Sequence, residues 1–153
     1  MGAPEGGQEI QRVGAYGLAW RDERLLVVRA SAITEVEGRL FLPGGGVDHK
    51  EHPDRAIERE VWEETGLTVQ RSSLLGVVDD VRTRRRTGEV VHTIRMIYAI
   101  EVPDGELKVN DHGGSSDEAF WLTVDELKAR DLAHYVIEAA KLIGLDLSPN
   151  PKG

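Results

Sequence analysis

Gly45–Leu67 reads GGVDHKEHPDRAIEREVWEETGL, a glycine turn that gives way to a carboxylate-rich amphipathic run. Pro53 suits a first helical position, Ile57 and Val61 fall on one face, and Gly66 can end the run, which predicts a helix over Pro53–Thr65. On that helix Glu60, Glu63 and Glu64 stand at i, i+3 and i+4, so three carboxylates share one face within a turn. Like charges at that spacing oppose each other by roughly 0.2–0.5 kcal/mol per pair. A bland surface helix would mix in lysines, yet only Arg59 is adjacent. A hard divalent cation such as Mg²⁺, which takes oxygen ligands, relieves the repulsion. Just upstream, Pro43-Gly44-Gly45-Gly46 reads as a break in both helix and strand. Bare backbone there can approach a ligand closely, and its N–H and C=O groups can meet phosphate oxygens or the metal itself. Taken singly, a glycine run is usually a loop and a Glu-Glu pair a solvated face. Together they describe a metal-dependent phosphate site, in which the metal neutralises phosphoryl charge and activates a water.

On either side of this segment the chain reads mostly as strands. Val13–Trp20 and the apolar Leu25–Ala30 flank a turn at 21–24, and Arg39–Leu42 is a short strand after a loop. Val69–Val81 and Glu89–Val102 are β-branched runs joined by a basic hairpin loop over 82–88. Asn110–Glu118 is a polar loop, and Ala119–Leu122 a short strand. Thr123 and Glu126 have capping-box spacing, and Asp131–Ile143 is a second amphipathic helix that Gly144 ends. Residues 1–11 and 147–153 read as flexible tails around one domain at 12–146. Strands mixed with two or three helices predict an α/β or α+β sandwich around a mixed sheet.

Composition narrows the function. The chain has 153 residues and no Cys, which excludes a disulfide scaffold and any Cys-ligated metal. A net charge of −8 argues against a nucleic-acid partner and mildly for cations. Nothing reads as a secretory signal or a membrane span, so the expectation is a cytoplasmic protein without a membrane partner. The charge is unevenly spread: residues 45–67 hold seven acids and three bases, whereas 68–100 hold three acids and six bases. Arg82, Arg84, Arg85 and Arg86 make the latter stretch the place to look for substrate, because Arg forks suit phosphate, although a basic hairpin tip is more often merely solvated. Arg29, at the end of a strand before the glycines, is a further candidate for a phosphate. His49 and His52 lack a third ligand at zinc spacing.

The spacing Gly45, Glu51, Arg59-Glu60-Val61, Glu63-Glu64 and Gly66-Leu67 resembles, at every specified position, the signature of the Nudix hydrolases. The resemblance implies a Nudix-type α/β/α sandwich around a mixed β-sheet. It implies hydrolysis of a pyrophosphate bond in a nucleoside di- or triphosphate or a nucleoside diphosphate derivative, with Mg²⁺ or Mn²⁺. By position, Glu60, Glu63 and Glu64 are then the metal ligands, with the Gly45 carbonyl as a further one. Glu51 and Arg59 form the ion pair that orients them, and Gly66 closes the motif. Glu64, Glu63, Arg59 and Glu118 are the catalytic candidates. The base is Glu64 or, from the loop before Trp121, Asp117 or Glu118. Arg29, Arg82 and Arg84 are the candidates for substrate. Lys50 stands where a Gly is common in the family. No Pro occurs between Glu64 and Glu101, so the marker of the ADP-ribose hydrolases is absent and a broad MutT-like class remains, with a nucleotide as partner and a homodimer in keeping with the family. A nucleotide-sensing member that binds without cutting is the alternative.

Overall fold

The computed structural model describes residues 7–150. In chain order the strands are Glu9–Leu18 (β1), Trp20–Arg21 (β2), Arg24–Ala30 (β3), Leu40–Phe41 (β4) and Gly44–Gly46 (β5), then Arg71–Thr83 (β6), Val90–Glu101 (β7) and Ser116–Thr123 (β8). The helices are Pro53–Thr65 (α1), Val124–Lys128 (α2) and His134–Ala140 (α3), which runs into a 3₁₀ turn at Lys141–Ile143.

One sheet has the order β5-β1-β7-β6 and is mixed: β1 and β7 run parallel, and the other pairs are antiparallel. The second sheet is antiparallel and centres on β3, which pairs with β2, β4 and β8. Alternation along β1 and β3 gives each strand two buried faces. Tyr16, Leu18, Leu25 and Val27 enter one core with Leu127, Val136 and Ala139, from the side of α2 and α3. Ala15, Ala19 and Leu26 enter the other with Ile57 and Val61 of α1. The result is an α/β sandwich, a mixed sheet with helices packed around it.

Helix α1 has the predicted bounds. His52 Nδ1 accepts from the Asp54 N–H at 3.1 Å as N-cap, Pro53 opens the first turn, and Gly66 closes the helix in the left-handed region at φ 77°. The Thr123–Glu126 capping box is also present. Elsewhere the structure departs from expectation. Gly44–Gly46 is not a break but a strand, with Ala15 opposite Gly45 and Tyr16 opposite Gly44. Only glycine fits this strand at position 44: φ is 151°, and a Cβ there would stand 2.3 Å from the Ala15 carbonyl oxygen. Strand β1 begins at Glu9, inside the segment read as an N-terminal tail, because Glu9–Gln11 pair with Val90–His92. The remaining N-terminal positions of that tail, 1–6, and the C-terminal 151–153 lie outside the described residues. Leu147, also read as tail, is buried in the first core. Strand β8 starts at Ser116, inside the expected polar loop, and the helix expected over Asp131–Ile143 is confined to His134–Ala140 and the 3₁₀ turn. Among the described residues no helix is long and apolar enough to cross a membrane.

Candidate active site

Helix α1 packs against β1, β5 and β8, and this fixes where its carboxylates point. Glu64 is buried against β8 and β5, where Ser116 Oγ donates to Oε2 at 2.8 Å and the Gly44 N–H donates to Oε1 at 3.3 Å. Burial pushes the Glu64 carboxyl well above the ordinary carboxylate range; the nearby Glu60 pushes the same way, and Ser116 and Gly44 oppose the shift. Glu60 lies one turn away with its carboxylate against the Gly45 backbone, so close that a Cβ at 45 would stand 2.7 Å from it. Glu63 is also raised, by burial first and then by Glu60.

Arg59 organises the group. Its Nε and Nη2 donate to Glu51 Oε2 and Oε1 at 2.9 Å each, and its Nη1 donates to Glu60 Oε1 at 2.9 Å. Nη2 also reaches the Gly46 carbonyl at 3.2 Å, and Glu63 stands 3.5 Å from Nη1. Arg59 holds the Glu51 carboxyl down at about 2. One guanidinium therefore ties the loop before α1, the helix and β5 together. The C-terminal end of α1 is held separately: the N–H groups of Asn110 and Asp111 donate to the Glu63 carbonyl at 2.7 and 3.0 Å, and that of Lys108 to Thr65 at 2.9 Å. Gly66 sits against this loop, where a Cβ would stand 2.9 Å from the Lys108 carbonyl oxygen.

Glu60 and Glu64 line one wall of a cavity of about 540 Å³, with β5 at its edge. Arg12, Arg82, Arg84 and Arg86 form an arginine-rich side of the same lining. Glu35 braces that side, accepting from the Arg85 and Arg86 backbone N–H groups at 3.3 and 3.1 Å and pairing with Arg82 at 3.4 Å. Arg84 pairs with Glu89 at 3.0 Å. The other candidates stand elsewhere. Arg29 Nε donates to Asp117 Oδ1 at 2.7 Å and its Nη2 lies 3.0 Å from Glu118 Oε2, so it neutralises both acids instead of facing the cavity. Among the described residues that line the cavity, Arg29, Asp117, Glu118 and Glu63 do not appear. Sequence reasoning missed Ser116, hidden in a Ser-Ser pair read as loop, and Arg12, a lone cation on a strand; neither belongs to a spacing pattern.

The donor set fits a hard divalent cation. Two carboxylates face one space, one of them desolvated beside the other, and the β5 backbone is bare of side chains there. Among the described residues no three acidic or histidine side chains converge at ligand spacing, and Glu63 Oε2 stands 3.5 Å from Arg59 Nη1.

The NUDIX domain model matches residues 10–141. The chain belongs to the Nudix family. A MutT-like protein of Streptomyces ambofaciens is 31% identical over 129 residues, 84% of this chain and 74% of that protein. An ADP-ribose pyrophosphatase of Methanocaldococcus jannaschii is 33% identical over 99 residues, 65% of this chain, and the match spans only 56% of that relative's length. The crystal structure of a MutT NUDIX hydrolase from Burkholderia pseudomallei superposes with a TM-score of 0.72 at 32% identity, covering 87% of this chain and 98% of the other. The Nudix box is Gly45–Leu67, and β5, α1 and the Gly66 cap are its structural parts.

Proposed function

We propose that this Nudix protein is a Mg²⁺-dependent hydrolase that cleaves the pyrophosphate bond of a nucleoside diphosphate derivative or a nucleoside triphosphate by attack of water on phosphorus. One observation carries the reading: the buried Glu64 carboxylate, held by Ser116 and Gly44, lines a cavity that four arginines, Arg12, Arg82, Arg84 and Arg86, also line. Glu60, Glu64 and the Gly45 carbonyl would hold the cation, with Glu63 joining when it turns from Arg59. Bound there, Mg²⁺ supplies charge neutralisation on the phosphoryl oxygens and acidifies the attacking water.

The chain's own groups do the rest. Arg82 and Arg84 hold the diphosphate oxygens away from the glutamates. Arg59 fixes the α1 carboxylates against β5, so little reorganisation accompanies reaction. Glu64, with its proton affinity raised by burial, accepts the proton of the attacking water. Ser116, by donating to Oε2, leaves the Oε1 side of that carboxylate towards β5.

The test is a panel of nucleoside triphosphates and nucleoside diphosphate esters, ADP-ribose among them, assayed with Mg²⁺ for phosphate, pyrophosphate or nucleoside monophosphate. Turnover abolished by chelation and by Glu64→Gln supports the proposal. Tight Mg²⁺-dependent binding of these compounds without turnover overturns it in favour of a sensing role.

A further inference from the structure

Beside the cavity of Glu60 and Glu64 lies a second chamber of about 440 Å³, and the two share Arg12, Tyr16, Phe41, Arg82 and Arg84 in their walls. Sheet register explains its content. Across the mixed sheet Arg12, Thr93 and Asp80 stand in one row, and Gly14, Arg95 and Val78 in the next on the same face. Gly14 leaves room for the Tyr16 ring, which lies where a Cβ would meet Tyr16 Cε2 at 2.6 Å. Arg95 lies in the space so formed, its guanidinium 4.0 Å from the Tyr135 ring centre and 5.5 Å from that of Tyr16.

The chamber holds more cationic capacity than its carboxylates consume. Each arginine has five N–H donors in a fixed fork. Arg82 spends one nitrogen on Glu35, Arg84 one on Glu89, and Arg95 Nη1 one on Asp80 at 2.8 Å. Arg95 Nε is buried with no hydrogen-bond partner, and Arg12 makes no ion pair among the described residues. Arg95 Nε has no exposed surface, so the donors open to an acceptor are those that Arg12, Arg82 and Arg84 leave unspent along the chamber wall. Arginines of β1, β6 and the hairpin, on separate segments of the chain, line one chamber, which suits a phosphoryl group better than a neutral ring.

We infer that the chamber is a second anion subsite, built to hold a phosphoryl group carried by the substrate away from the bond that is cut. This rests on the hydrolase reading for the first cavity and narrows its substrate to a diphosphate that bears a further phosphate on its non-reacting part. Arg12, at the junction, is the specificity-determining residue, and Arg95 the floor.

The test compares matched pairs with the full-length chain: ADP-ribose against its 2′-phosphorylated form, and ADP against adenosine 3′-phosphate 5′-diphosphate. Hydrolysis is measured with Mg²⁺, and binding by calorimetry without it. In at least one pair the additional phosphate tightens binding and lowers KM by about tenfold or more, the scale of one charge-assisted contact. Arg12→Ala brings the phosphorylated and plain members of that pair to within about twofold of each other, whatever it does to both. Equal values across both pairs, or an Arg12→Ala effect that falls on plain and phosphorylated members alike, overturns the subsite. Arg12-dependent binding of inorganic phosphate, with no gain from a substrate-borne phosphate, also overturns it, because the group recognised is then a free ion. If nothing is hydrolysed but the phosphorylated members still bind more tightly without Mg²⁺ through Arg12, the hydrolase reading fails and the subsite stands.

Discussion

Arg59 and Glu51 meet fork to fork, with two N–H···O bonds of 2.9 Å, and the third nitrogen of the same guanidinium holds Glu60 at 2.9 Å. A lysine supplies one point charge and cannot serve both acids and the Gly46 carbonyl together. Arg59→Lys is expected to lower kcat/KM by about 10- to 100-fold, or about 1.4–2.8 kcal/mol. Arg59→Ala should lose more and also lower Tm by several degrees in a thermal melt. Near-normal turnover in the lysine variant would show that the fork does not position Glu60.

The same pair sets a dependence on acid. Arg59 holds Glu51 down at about 2 against an ordinary 4.5. A carboxyl lowered in the folded state contributes stability that is fully present above about 4.5 and is lost as pH falls towards about 2. Glu35, Glu89 and Glu126 are also lowered, so the difference between proteins is the measurement. In urea titrations Glu51→Gln should be less stable than the parent at neutral pH, and the gap should close as the pH falls through that window. A gap independent of pH would contradict it.

Glu64 has the opposite sign. Burial and Glu60 raise its carboxyl above 4.5, so ionised Glu64 opposes folding once the unfolded chain has titrated, and that cost fades below about 4.5. Glu64→Gln is expected to equal or exceed the parent in Tm at neutral pH without Mg²⁺. Its turnover should fall by about 10²–10⁴-fold, the range for a lost proton acceptor. Added Mg²⁺ should raise Tm in the parent and much less in the variant. A variant that melts earlier in metal-free buffer would show that the carboxylate is satisfied without a cation.

The glycine strand separates two roles that look alike in the sequence. At Gly44 an added Cβ meets the backbone at Ala15, whereas at Gly45 it meets the end of the Glu60 side chain. Gly44→Ala should therefore unfold the protein or cut its yield sharply. Gly45→Ala should leave the circular dichroism spectrum unchanged while it displaces Glu60 and weakens Mg²⁺ dependence. Equal stability in the two variants would contradict this.

These glycines also show what local sequence carries. Helix α1 was legible because its start, face and end are encoded within Pro53–Gly66. The strand Gly44–Gly46 was not, because glycine has low strand propensity and pairing is dictated by Ala15 and Tyr16, remote in sequence. The carboxylates of the site were legible from spacing on one helix. Ser116 and Arg12 reach it from β8 and β1 by sheet register, which no local pattern reports. The pairing of Arg29 is hidden for the same reason: its partners Asp117 and Glu118 come from the neighbouring strand.

Leu147 gives the last prediction. It follows Gly144 and precedes two prolines, so its surroundings read as a loose end. Instead the chain turns back at Gly144, which takes φ 78°, and the Leu145 N–H donates to the Ala140 carbonyl at 3.0 Å. The turn drops Leu147 into the first core at 1% exposure, among residues that include Tyr135 and Leu127. Truncation of a fully buried leucine removes its transfer free energy and leaves a cavity, together about 2–5 kcal/mol. Leu147→Ala should therefore lower Tm by roughly 5–15 °C in a domain of this size. Because Leu147 lines neither cavity, the loss should fall on stability and leave KM at low temperature unchanged. A melt within a degree of the parent would mean that the C-terminal segment contributes little to the fold.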